Sequence, residues 1–240
     1  MSVEMDRTRP GQRVVRSPAL GRCRFCSRED VALTREHVFA RWLVERLRAF
    51  RATHAAQVPA DAAADARLAR LVTRVCGACN AGWMSGLEVS FRQAVFARSR
   101  PDHLAEPTRR TLSRWFTKTA MLVAQSANRE LVPEELWPEL TDTMPDGIRI
   151  GLARLRRPRQ PLDLAFEYQE AADPESARLA SVAVQVDDLV GLVTRRSSVT
   201  PATTVWPLRS HTLRWTTLPV VNRLSDLTGD GAIARRHNPT

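Results

Sequence analysis

The apolar positions of this chain change their period near its middle. From Val38 to Phe50, residues Phe39, Trp42, Leu43, Leu47 and Phe50 recur at three- and four-residue spacing, which places them on one helical face. Trp83, Met84, Leu87, Phe91, Ala94 and Val95 repeat that pattern after Asn80, and Pro107 to Ala127 predicts a third helix carrying Trp115, Phe116, Met121 and Leu122. A further short helix is expected near Pro133, since proline suits a first helical turn. Leu71 to Val75 is short and β-compatible. From Gly147 onward, runs at 147–156, 162–169, 178–186, 188–196, 203–208 and 213–221 alternate apolar and polar residues, with Pro, Asp or Gly in the gaps. The pattern predicts an α+β fold with an antiparallel sheet in the second half.

Residues 1–21 show no periodicity and contain Pro10 and Pro18, and they read as a flexible basic arm. An Ala-rich segment over 52–66 with Pro59 reads as a loop with a short helical piece. Three parts follow: the arm, a cysteine-bearing unit over 22–100 and an α+β accessory domain over 101–240. No stretch approaches the roughly 18 uncharged apolar residues that a membrane-spanning helix needs, so no membrane partner is expected. The N-terminus interleaves Arg7, Arg9, Arg13 and Arg16 with no apolar core, unlike a secretory signal, and a cytoplasmic location is expected.

The 240 residues carry 36 Lys+Arg against 26 Asp+Glu, a net charge of +10, and Lys118 is the sole lysine. The excess is uneven. Residues 1–100 hold 18 Arg and 9 acids, whereas residues 101–240 hold 18 basic and 17 acidic residues. A polyanion such as nucleic acid is therefore expected to meet the first hundred residues. In the second half, Arg149, Arg154, Arg156, Arg157 and Arg159 form an acid-free cluster that could touch a nucleic-acid backbone but is read first as a solvated edge strand.

All four cysteines fall in the basic part, as Cys23-Arg24-Phe25-Cys26 and Cys76-Gly77-Ala78-Cys79. Two-residue spacing lets backbone amides face both sulfurs, and two such knuckles complete a tetrahedral four-thiolate zinc site. The alternatives are disulfides or a redox pair, disfavoured in a cytosolic setting, and unpaired structural thiols. Four thiolates around a divalent ion leave net negative charge, and Arg22, Arg24, Arg28 and Arg74 lie beside them in sequence.

Eleven residues beyond Cys26 comes His37, within Thr34-Arg35-Glu36-His37-Val38-Phe39, and Asn80-Ala81-Gly82-Trp83-Met84 directly follows Cys79. Over residues 22–98 the sequence resembles the zinc-knuckle subgroup of the HNH endonucleases, in which an acid–His pair follows the first knuckle and a His or Asn follows the second. The resemblance implies a ββα-metal unit and hydrolysis of DNA phosphodiester bonds. It also implies His37 as general base, with Glu36 and Asn80 as ligands of a catalytic Mg²⁺ or Mn²⁺ distinct from the structural Zn²⁺ on Cys23, Cys26, Cys76 and Cys79. A neutral His with an ordinary pKa of about 6.5 suits proton abstraction from water. A carboxylate and a neutral ligand suit a hard divalent ion. The Asn that the family carries before its second knuckle is missing here, and Thr73 stands as a candidate replacement.

Each residue also has a structural alternative. His37 can serve as a hydrogen-bonded strand end, Glu36 as a partner of Arg35 or Arg41, and Asn80 as the N-cap of the following helix. Glu88, two turns beyond Asn80, is either a further ligand or a paired surface carboxylate. Trp42, Trp83 and Met84 are expected to pack the helices together. The rival to the nuclease is a catalytically inactive, zinc-stabilised nucleic-acid-binding module.

Overall fold

The structure, a computed structural model, describes residues 19–54, 68, 71–97, 101–169, 178–195, 203–208 and 212–227. The arm up to residue 18 and most of the Ala-rich segment 52–66 lie outside the described residues.

The first half is built on a three-stranded antiparallel sheet in the order β1 (Leu20–Gly21), β2 (Val31–His37), β3 (Val72–Cys76). β2 and β3 pair from Leu33↔Cys76 to His37↔Val72. Between them runs α1 (Arg41–Thr53), which buries Leu43, Val44 and Leu47. β3 passes straight into a helical turn at Gly77–Cys79 and a wider π-helical turn at Asn80–Met84, kinked at Gly82. α2 (Ser85–Phe96) follows and buries Leu87, Phe91 and Val95. Met84 is buried as expected, whereas Trp42 and Trp83 are half-buried at the edge of the core. Trp42 meets Phe96 edge-on at 5.4 Å and so joins α1 to α2.

α3 (Glu106–Ser126) starts with a proline in its first turn, where the missing N–H costs nothing. Every residue from Trp115 to Ala124 is buried. A helix covered all round is a core helix rather than a surface one. One side of α3 meets α2 through Phe91, stacked on Trp115 at 3.7 Å and edge-on to Phe116 at 5.6 Å. The other side lies on the sheet of the second half, and one buried apolar cluster runs from Phe25 through both helices to Val182, Val184 and Val193.

That sheet has six strands: β4 (Ile148–Leu155), β5 (Leu162–Gln169), β6 (Arg178–Val186), β7 (Leu189–Arg195), β8 (Thr204–Trp206) and β9 (Val220–Val221). The order is β5-β6-β7-β4-β8, antiparallel throughout, with β9 added parallel to β4. Three expectations need correction. The run 213–221 is mostly not a strand, because Trp215–Thr217 forms a 3-10 turn that buries Trp215. The helix near Pro133 is a 3-10 segment at Glu134–Thr141, with Pro138 inside it. The arginine cluster does not sit on an edge: β4 is internal, paired with β7 on one side and β8 and β9 on the other. Arg154 there pairs with Asp188, while Arg156, Arg157 and Arg159 are exposed in the turn beyond the strand.

At Gly191 of β7, α3 approaches the sheet closely. A Cβ placed on that glycine would lie 2.4 Å from ring carbons of the fully buried Phe116. The near side of that ring cannot swing away without moving α3. Gly191→Ala is expected to cost about 1–3 kcal/mol by overpacking, read as a lower urea midpoint.

Candidate functional site

The four cysteine sulfurs converge, all within 4.8 Å of one another. Cys23, Cys76 and Cys79 are buried and Cys26 is half-buried. All four are free thiols rather than disulfides, with the Cys26 and Cys76 sulfurs 3.6 Å apart. Backbone amides face the sulfurs as the spacing suggested: Cys76 N–H donates to Cys23 Sγ and Cys79 N–H to Cys76 Sγ, each at 3.4 Å. Burial raises the Cys23 thiol, but backbone N–H groups of Cys76, Cys26 and Phe25 outweigh it and lower it to about 7. Cys79 is pushed well above the usual thiol range, by burial first and then by its neighbour Cys76. Four converging sulfurs, one favoured as thiolate, form a soft tetrahedral donor set that can hold a structural metal such as zinc.

The cluster is anchored to the core through Phe25, inside the first knuckle. Its ring is fully buried between Trp83 (5.3 Å) and Trp137 (5.0 Å), the latter from the 3-10 segment Glu134–Thr141. Two of the neighbouring arginines already have acidic partners, Arg22 with Glu29 at 3.3 Å and Arg24 with Glu134 at 3.5 Å.

Glu36 and Asn80 come together beside this cluster. Thr34 and Glu36 share one face of β2 by strand alternation. Asn80 Nδ2 donates to Thr34 Oγ1 at 3.2 Å, and its amide lies close enough to the Glu36 carboxylate to favour that group's charged form. Asn80 is not an N-cap: the helical turn begins three residues earlier, capped by Cys76 Sγ, and Asn80 itself has helical backbone angles. Nor does Glu36 pair with Arg35 or Arg41, since Arg41 is engaged by Glu45 at 2.7 Å.

Glu36 instead belongs to a polar cluster wedged between β2–β3, α2 and α3. Glu88 pairs with Lys118, whose side chain is fully buried in the middle of α3. The second Glu88 oxygen is buried with no hydrogen-bond partner among the described residues. Burial chiefly, and the Glu88 charge in addition, raise the Glu36 carboxyl above its ordinary 4.5, against the pull of Lys118 and the Asn80 amide. Thr73, opposite Glu36 in the sheet, donates to Gln125 Oε1 of α3 at 2.7 Å. Lys118 and Gln125 were not singled out in the sequence. The available signal was a lone lysine set among Trp115, Phe116, Met121 and Leu122.

His37 follows Glu36 and therefore points to the opposite face of β2, where it is exposed at the strand's end. Arg35, on that same outer face, lies directly across from Arg74 of β3. The structure thus brings Glu36, Asn80 and Glu88 to one side of the hairpin and leaves His37 on its rim.

Fold and site together define an α+β protein with a four-cysteine cluster able to hold a metal ion. No family profile, curated protein or solved structure matches the chain. Among the described residues, no helix is long and apolar enough to cross a membrane.

Proposed function

We propose that the chain is a metal-dependent HNH-type endonuclease that hydrolyses DNA phosphodiester bonds at the β2–β3 hairpin. The observation that carries this reading is the contact between Glu36 and Asn80. These residues lie more than forty positions apart, and the cysteine cluster sits where it would clamp their two segments together. Such a contact serves no obvious packing purpose in a half-buried, polar setting.

The oxygens of Glu36 and Asn80, with Glu88 alongside, are the hard donors that Mg²⁺ or Mn²⁺ prefers. Such an ion, when bound, would polarise the phosphate and offset the charge building on its oxygens. His37 would take a proton from the attacking water at an imidazole nitrogen, its exposure leaving room for substrate. Asn80, held by its hydrogen bond to Thr34 on the same face of β2, would sit beside Glu36 in that set. The zinc cluster would stay structural, since four cysteines fill a tetrahedral shell.

A second reading, a nucleic-acid-binding module without activity, is favoured by His37, which lies on the opposite face of β2 from Glu36 and Asn80, and by Lys118. Its ammonium already supplies positive charge between Glu88 and Glu36, where a divalent ion would be needed. Nicking of supercoiled plasmid in Mg²⁺ or Mn²⁺ separates the two. The wild type is expected to cut, and His37→Ala to cut at least 100-fold more slowly, in line with the roughly 10²–10⁴-fold contribution of a general base. Equal rates with both proteins folded would sink the nuclease reading.

A further inference from the structure

The outer face of the hairpin carries a feature that folding alone disfavours. Arg35 on β2 and Arg74 on β3 are direct cross-strand partners, and both are exposed. Side chains so placed have Cβ atoms about 4.5–5.5 Å apart, and like charges at that spacing repel. Among the described residues, neither guanidinium is engaged by a carboxylate. By contrast Arg22, Arg24, Arg41 and Arg46 each have an acidic partner, and none of them lies opposite another arginine in the sheet. His37 lies two residues beyond Arg35 on the same face, roughly 7 Å along the strand at 3.2–3.4 Å per residue.

We propose that Arg35 and Arg74 form a phosphate clamp through which the backbone of double-stranded DNA docks across the outer face of the β2–β3 hairpin. Two guanidiniums side by side present a fan of N–H donors that matches the oxygens of a phosphodiester, and a bound phosphate turns their repulsion into shared attraction. Charge complementarity extends beyond the pair. The first hundred residues, in which both arginines lie, carry 18 Arg against 9 acids. A strand held at Arg35 and Arg74 would pass His37 at the hairpin's rim. The inference thus deepens the nuclease reading by naming the face on which substrate lies, and in that respect rests on it.

The test is fluorescence anisotropy with a labelled 30-base-pair duplex, without added divalent metal, over a series of salt concentrations. The full-length wild type is compared with Arg35→Ser/Arg74→Ser and with Arg156→Ser/Arg157→Ser from the turn after β4. Losing two phosphate contacts at about 0.9 each should flatten the slope of log K against log salt by about 2. The control pair should leave the slope unchanged. Because the two guanidiniums repel each other and neither is engaged by a carboxylate, the clamp variant should melt no lower than wild type, and Arg22, Arg24 and Arg28 remain beside the cysteines to keep its metal content.

An unchanged slope in the clamp variant, an equal change in the control, or no duplex binding by wild type at 50 mM salt would overturn the clamp. So would Arg35- and Arg74-dependent binding to anionic phospholipid vesicles in place of DNA. Binding and cutting fail separately. A wild type that binds through the clamp but never nicks leaves the docking face standing without the enzyme, and nicking with an unaltered slope does the reverse.

Discussion

Cys76→Ser is expected to abolish the cooperative unfolding transition of the chain and to release the bound metal. Cys76 closes the hairpin as the last residue of β3 and caps the helical turn that follows. Its N–H reaches Cys23 Sγ, and its own sulfur lies 3.6 Å from that of Cys26. One substitution therefore loosens both knuckles at once. Structural zinc contributes roughly 10–16 kcal/mol of apparent binding free energy in finger peptides, against total domain stabilities of about 5–15 kcal/mol. Because Phe25 is sealed between Trp83 and Trp137, the damage should spread beyond the knuckles into the core shared with α2 and α3. Metal analysis and circular dichroism melts provide the check. A sharp melt in metal-free Cys76→Ser would show that the cluster does not hold the fold.

The second large effect concerns Lys118. Replacing it by methionine keeps the length of the side chain and removes the charge, leaving Glu88 largely buried beside Glu36 with no counter-ion. Breaking a buried pair from one side typically costs about 3–5 kcal/mol, whereas replacing both partners by apolar groups is often neutral. Lys118→Met should therefore lose about that much in urea unfolding, and Lys118→Met/Glu88→Leu should recover most of it. The pH dependence has a definite sign. A carboxyl whose pKa is raised on folding binds more protons in the folded state, so stability falls as pH rises. For Glu36 the fall begins near the ordinary 4.5 and ends at its higher folded value. Without Lys118 that window should widen upward and the fall should steepen. Identical pH profiles for wild type and Lys118→Met would show that Glu36 does not feel the ammonium.

What the sequence revealed, and what it hid, follows from the range of each interaction. Periodicity is local, so the helices and the long strands could be read from it. The spacing of Phe39, Trp42, Leu43, Leu47 and Phe50 located α1 to within three residues. Val38 and Phe39 are nonetheless buried in the turn before the helix, where tertiary packing rather than helical phase places them. The paired cysteines were legible for the same reason, since two-residue spacing is itself the geometry of a knuckle. The N-cap alternative for Asn80 failed because helix-start rules favour oxygen caps, and here the Cys76 sulfur takes that place four residues earlier. Lys118 was hidden because its burial depends on Glu88, thirty residues away on another helix. The internal position of β4 depends on β8 and β9, five residues in all. Strands that short carry almost no periodic signal.

We propose that the cysteine cluster holds a structural metal and that a second metal, held near Glu36 and Asn80, enables cutting of DNA. The measurement that tests it most directly is plasmid nicking by protein carrying one zinc per chain, with and without added Mg²⁺ or Mn²⁺, alongside Glu36→Gln. The expected result is no nicking with zinc alone, nicking once the second metal is added, and loss of that nicking in Glu36→Gln while its zinc content stays the same. Zinc-loaded, folded wild type that leaves the plasmid intact at every concentration of added metal, or a Glu36→Gln variant that cuts as fast as wild type, would contradict it.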